Sequence, residues 1–327
     1  MRILYVGPNR IGDAILSSGV LNFLCRNYPD AQFTVACGAS AAPLFEELPG
    51  LERLIAMHKL PRGGHWWRLW RQVVGHRWSL VVDVRRSIIP WTVVNARRAI
   101  APPSSQHDEH AVVSFSRTLG LSDFPPIPRL WIGDRHRATA DALLPDQVPV
   151  IAVAPTANWP GKIWPAERFV ETIRRLTDAD GAPHEAVLPN AAVAVLGAES
   201  ERDAAAPVLE AFPPDRVIDL VGTHDLLTIG ACLTRSALFV GNDSGLMHMA
   251  AAAGVPTVGL FGPSRPERYA PWGSRAIWVR TEKPYSELVG GKGYDHRTTG
   301  TLMESLPVDN VVRASANLWR RVGEDRE

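Results

Sequence analysis

Cysteine is scarce in this chain of 327 residues: Cys25, Cys37 and Cys232 are only three, scattered and odd in number. That excludes a disulfide framework and a thiolate zinc site. No apolar run approaches the length of a membrane span, and the opening MRILYVGPNRIGD is too short and interrupted for a signal peptide. There is no internal repeat and no low-complexity tract. Net charge is almost missing as well, at +1, whereas a nucleic-acid binder is usually far more basic. These absences lead to the expectation of a cytoplasmic protein with no nucleic acid among its partners.

What is present is 46% apolar and 21% charged residues, ordinary for a large soluble core. The length suits two domains. The small net charge conceals an asymmetry, with 17 Lys+Arg against 11 Asp+Glu in residues 1–145 and 18 against 23 in the remainder. A basic N-terminal half favours an anionic partner there.

Short aliphatic runs alternate with helical patterns. Strands are expected at 2–6, 32–37, 79–83, 150–154, 192–196, 216–220, 237–240, 256–261 and 276–279. Helices are expected at 13–28, 166–178, 201–212, 226–234 and 246–253. Strands apolar on both faces and separated by helices mean parallel sheets. The expected fold is α/β, two Rossmann-like doubly wound domains facing across a cleft. Proline-rich stretches at 124–128 and 145–149 bracket a crossover. The domains are therefore expected at 1–147 and 148–327, with the last helix, about 307–322, free to pack back on the first.

Three loops carry the chemistry. The first reads VGPNRIGDAILSSG, between a strand and a helix, where a dinucleotide fingerprint must be considered. Gly7 and Gly12 fit that template, but Asn9 blocks close approach of backbone to a pyrophosphate. The second strand ends in Ala36-Cys37-Gly38, without the acid that would hold a ribose hydroxyl. Asp13, near Arg10, is then either a helix cap held by free N–H groups and the dipole or a general base.

The second loop, VAPTANWPGKIWPAERF, places Thr156, Asn158 and Lys162 beyond the carboxyl end of a strand, where such folds bind ligands. Pro165 fits the first position of the next helix. Lys162 is otherwise an ordinary solvated lysine. The third, VGNDSGLMHMAAAAGVPTVGLFGPS, is the most informative. Ser244 can cap the helix, Gly245 lets a ligand approach the backbone, and the helix N-terminus favours an anion. His248 lies one turn further on, as a ligand contact or a satisfied core histidine. The loop lacks the G-K-[ST] of a P-loop, so nucleotide hydrolysis is not indicated.

Together, IGDAILSSG, KIWPAERF, LGAESER and GNDSGLMHMAAAAGVPTVGLFGPSRPERYAPWG resemble glycosyltransferase family 9, the ADP-heptose:lipopolysaccharide heptosyltransferases. The resemblance implies a GT-B fold, with an acceptor-binding N-domain and a donor-binding C-domain. It implies an inverting, metal-independent transfer from a nucleotide sugar, with no cofactor. Asp13 takes the base position, and Lys162 matches the lysine of the K-x-W-P motif facing the donor phosphates. Thr156 is implied on the phosphate side and Glu201 near the nucleoside. Asp243, Ser244, Gly245 and His248 match the diphosphate-sugar loop. Arg10, Arg68 and Arg71 are expected to meet an anionic lipid-linked glycan acceptor, with peripheral contact to the cytoplasmic face of the inner membrane. Gly19 stands where the family usually has proline. A sugar-nucleotide epimerase, or a non-catalytic nucleotide-sugar-binding protein on the same architecture, is the alternative.

Three other stretches are weighed and set aside or left open. Asp178-Ala179-Asp180 imitates a D-x-D metal motif but trails a helix, so it reads as a solvated end. His107-Asp108-Glu109-His110 has no further ligands near it and reads as a charged helix start. The acid-free segment 59–77, KLPRGGHWWRLWRQVVGHR, either touches anionic lipid or acceptor or packs its tryptophans on the sheet.

Overall fold

The computed structural model describes residues 1–103, 109–178, 185–290 and 299–324, and the chain divides into two compact units, Met1–Gly133 and Asp134–Glu327. The first unit holds β1 (Arg2–Val6), β2 (Gln32–Gly38), β3 (Leu51–Met57), β4 (Leu80–Asp83) and β5 (Arg98–Ile100). They pair in the order β3-β2-β1-β4-β5, all parallel. The second unit holds β6 (Val150–Ala154), β7 (Ala192–Gly197), β8 (Val217–Val221), β9 (Leu238–Asn242), β10 (Thr257–Phe261) and β11 (Ala276–Arg280). Their order is β11-β10-β9-β6-β7-β8, again parallel throughout. Both sheets are doubly wound, as the apolar runs led us to expect. The direction of winding reverses between β1 and β4 and between β6 and β9, the crevices where such sheets take ligands.

The central strands β4, β6, β9 and β10 are buried along their whole length, so a continuous apolar run was their signature. The edge strands β3 and β11 are only partly buried. In the second unit Trp164, Phe169, Ile173, Val193, Val240 and Leu260 are among the side chains of one core.

The domain boundary is corrected. The division falls after Gly133, not after residue 147, because a helix the sequence reading passed over, Asp134–Leu143, belongs to the second unit. It packs on the helix Leu226–Arg235, where Arg235 Nη1 donates to Ala140 O at 3.1 Å and His136 Nδ1 meets Thr228 Oγ1 at 3.1 Å. In the closing helix, Val308–Glu324, Val311, Val312, Ala316, Leu318 and Val322 join the second unit's core, and Asp309 pairs with Arg175 at 2.6 Å. No helix among the described residues is long and apolar enough to cross a membrane.

Gly19 has a packing reason. A Cβ there would lie 2.1 Å from the Pro126 carbonyl oxygen, so the helix Ile11–Asn27 approaches that backbone too closely for any side chain.

Candidate functional site

In the second unit the loops after β6 and β9 emerge side by side, because those two strands are paired in parallel register. Lys162 ends a short turn, Pro160–Lys162, and its Nζ lies 2.5 Å from Asp243 Oδ2. The side chains are 22% and 6% exposed, so this ion pair is largely desolvated. A carboxylate repels phosphate; Asp243 therefore acts on an anion only through the lysine it holds. An ammonium has three N–H donors, and Asp243 takes one. Asn242 joins the same two loops, its Oδ1 accepting from Trp164 N at 3.1 Å. Trp164 is fully buried, donates from its indole to Leu306 O at 3.1 Å, and sets its ring edge on Phe169. The tryptophan of the K-x-W-P motif thus fixes the loop that carries the lysine. Pro165 precedes the helix Ala166–Thr177 as its N-cap instead of opening it, one residue short of the expectation.

Ser244 stands at the N-cap of the helix Gly245–Ala252, in extended backbone, yet its side chain makes no capping bond. That expectation is corrected: its hydroxyl is buried without a hydrogen-bond partner, as are Asn242 Nδ2 and Ser264 Oγ. Leaving a buried polar atom unpaired costs about 1–3 kcal/mol. Three such atoms lie at or just beyond the carboxyl ends of β9 and β10, with Gly245 opening a helix N-terminus beside them. Donors in such an arrangement suit a polar, anionic group. His248 is buried one turn into the helix, its N–H donating to Ser244 O.

Thr156 and Glu201 meet directly. The Thr156 hydroxyl lies 2.9 Å from Glu201 Oε2, which also accepts from Ala198 N at 2.9 Å. A hydroxyl has one proton, and here Thr156 gives it to Glu201, leaving oxygen lone pairs for other partners. Gly197 leaves room for the pair: a Cβ there would come within 3.2 Å of Thr156 Oγ1.

In the first unit the helix Ile11–Asn27 begins with exposed Arg10 at its N-cap, without a side-chain cap. Asp13 is the third helical residue. It is a charge in the first turn, half-buried and favoured by the dipole. Asn9 Oδ1 accepts from Arg85 Nη1 at 2.9 Å, and the Arg85 guanidinium stacks over Trp66, 4.6 Å from its centroid. Arg85 follows β4, across the switch from β1, and desolvation holds its pKa below the ordinary arginine value. Gly38 explains the missing ribose acid, since a Cβ there would sit 2.4 Å from Asn9 O. No side chain of any kind fits at that position.

Arg68 and Arg71 are exposed on the helix Gly64–Val73, whereas Leu69 and Val73 of the same helix are buried and Trp66 and Trp70 pack against the first unit's core. The packing reading holds for Trp66 and Trp70, and the arginines stand on the opposite, exposed face. Arg85 and Ser264 escaped sequence reasoning, and Asn242 entered it only as part of the anion-gripping turn. Asn242 and Ser264 flank recognised motif residues, but only burial without a partner singles them out. His107, Asp108 and Asp180 lie outside the described residues, and Glu109 pairs with Arg117 at 2.5 Å. Among the described residues no three His, Cys, Asp or Glu side chains gather as metal ligands.

Residues 70–294 match the family model described as glycosyltransferase family 9 (heptosyltransferase). Lipopolysaccharide heptosyltransferase 2 of Salmonella typhimurium is 25% identical, over 89% of this chain and 91% of that protein. Lipooligosaccharide heptosyltransferase 2 of Haemophilus influenzae is 23% identical, over 86% and 88%. Among solved structures, E. coli ADP-heptose lps heptosyltransferase II superposes with a TM-score of 0.74 at 20% identity, covering 99% of this chain and 100% of that one. A family 9 glycosyl transferase from Veillonella parvula superposes at 0.79 with 21% identity, covering 98% and 97%.

Proposed function

The chain belongs to glycosyltransferase family 9, and from that premise we propose that it moves a heptose from ADP-heptose onto an anionic, lipid-linked acceptor of the lipopolysaccharide-core type. The observation that carries the donor side is the Lys162–Asp243 pair beside the three buried, unpartnered donors of Asn242, Ser244 and Ser264. Together they offer a cation and neutral donors to a diphosphate. The names of the relatives support heptose and lipopolysaccharide.

In the proposed reaction an acceptor hydroxyl oxygen attacks the anomeric carbon from the face opposite the leaving diphosphate, which inverts configuration. The new C–O bond forms as the bond to the diphosphate oxygen breaks. Asp13 takes the hydroxyl proton, and ADP departs with the electron pair. Lys162 and the amide dipoles at Gly245 stabilise the charge developing on the diphosphate, the task a divalent cation performs elsewhere. The helix N-terminus lowers the basicity of Asp13. A base that receives the proton late needs only to be ionised and in place. The basic excess of residues 1–145 suits an acceptor bearing phosphates or carboxylates at the cytoplasmic face of the inner membrane.

The test is incubation with ADP-heptose, with and without a heptose-deficient lipopolysaccharide acceptor, followed by mass spectrometry of both products. We expect acceptor mass to rise by one heptosyl residue, in the presence of EDTA as in its absence. Conversion of the sugar nucleotide without acceptor would instead point to an epimerase.

A further inference from the structure

Nine large hydrophobic side chains are exposed among the described residues, and four of them, Trp67 (60%), Ile88 (65%), Trp91 (62%) and Val94 (62%), come from two neighbouring segments. The helix Gly64–Val73 and the turn Ile89–Thr92 lie side by side, joined by Trp70 Nε1 donating to Thr92 O at 3.4 Å. Each segment keeps its own apolar residues inward: Leu69 and Val73 on one, Ile89 and Val93 on the other. The outward tryptophans are therefore surplus to the core. Each is overlaid by an arginine, Arg71 at 4.8 Å from the Trp67 centroid and Arg98 at 3.7 Å from that of Trp91.

The charge around them has one sign. From Arg53 to His107 the chain carries Arg53, Lys59, Arg62, Arg68, Arg71, Arg77, Arg85, Arg86, Arg97 and Arg98 against a single acid, Asp83. That acid is fully buried and bound by the Ser87 hydroxyl and backbone N–H at 2.6 Å, so it offsets nothing at the surface. Indole rings settle at the headgroup level of a bilayer, and basic side chains beside them are drawn to anionic headgroups. A soluble polyanion would account for the arginines and leave the exposed tryptophans and their apolar neighbours Ile88 and Val94 unexplained. A second copy of this chain would bring the same positive charge against itself.

We infer that the face formed by Trp67, Ile88, Trp91 and Val94, rimmed by Arg68, Arg71, Arg97 and Arg98, docks the enzyme on an anionic phospholipid surface. The tryptophans enter the headgroup region and the arginines bind lipid phosphates. The inference rests on the lipid-linked acceptor of the preceding reading and adds the surface that meets the bilayer.

The test is flotation of the full chain with phosphatidylglycerol–phosphatidylcholine vesicles and with phosphatidylcholine vesicles. We expect binding to the first and not the second, weakened by salt as screening requires. Arg71→Ala with Arg98→Ala should weaken it about 30-fold, at ~fivefold for each basic side chain near the surface. Trp67→Ala with Trp91→Ala should also weaken it, and should reduce quenching of tryptophan emission by brominated lipid. Both tryptophans are exposed, so the melting temperature should hold, as should transfer to a delipidated, water-soluble acceptor. Vesicle binding unchanged in both double variants overturns the inference. So does binding that depends on the arginines alone and is untouched by the tryptophan replacements, which marks a soluble-polyanion surface, or loss of a dimer in sedimentation on replacing the tryptophans. Failure of transfer to the soluble acceptor by the parent protein would instead count against the transferase reading, leaving the vesicle result to stand on its own.

Discussion

Lys162 and Asp243 are 81 residues apart in the chain and 2.5 Å apart in space. The aspartate positions the ammonium, which in the proposed reaction meets the diphosphate. Lys162→Ala should therefore weaken ADP binding by about 1.5–3 kcal/mol, the worth of a hydrogen bond to a charged group. Asp243→Asn should weaken it too, and the double variant should be little worse than either single one. Calorimetry of the four proteins closes the cycle, and a coupling of about 0.5–3 kcal/mol is expected for groups acting as one unit. Additive losses would give Asp243 a separate role.

Asp13→Asn separates a charge in the first turn from a base. Loss of the dipole interaction alone costs about 0.3–1 kcal/mol and should barely move the melting temperature. Loss of a general base removes about 10²–10⁴-fold in rate. A folded protein with parental ADP affinity and transfer reduced by that factor is expected. Retention of half the turnover would leave Asp13 a structural charge.

Gly38 is held against Asn9 by the first loop, and a methyl group there would overlap the Asn9 carbonyl oxygen. Gly38→Ala should destabilise the first unit by about 1–3 kcal/mol, as overpacking does, measured by urea unfolding. A neutral result would show that the Asn9 loop moves freely.

Burial pushes the Cys37 thiol from its ordinary 9.0 up to about 12. Below about pH 9 both folded and unfolded chains keep the proton, and the stability is intact. Between pH 9 and 12 the unfolded chain releases it first, so stability falls by about 1.4 kcal/mol per pH unit for this group. Cys37→Ala should flatten that part of the alkaline decline in denaturant titrations under reductant.

Central strands and motif loops were legible in the sequence because burial on both faces and glycine-rich turns leave local signatures. The edge strand β3 was not: Leu51–Met57 mixes exposed and buried residues, and β5 spans only Arg98–Ile100. The helix Asp134–Leu143 was hidden by its composition, with only His136 and Ala140 buried. At the site, residue types revealed Lys162 and Asp243 separately, whereas their pairing arises from the adjacency of β6 and β9. The idle hydroxyl of Ser244 could not be anticipated, since serine at a helix start normally caps it, and that of Ser264 stands out only through its burial without a partner.

The turn that carries Lys162 is braced from one side by the chain's last segments. Leu302 N donates to Gly161 O at 3.1 Å, Thr301 Oγ1 to Ile163 O at 2.5 Å, and the Trp164 indole to Leu306 O. Residues 301–306 lead directly into Val308–Glu324, so local opening of that terminal helix releases the brace. Nucleotide binding and terminal fraying are then thermodynamically linked. Saturating ADP should slow amide hydrogen exchange along the closing helix, although no residue of that helix needs to touch the ligand.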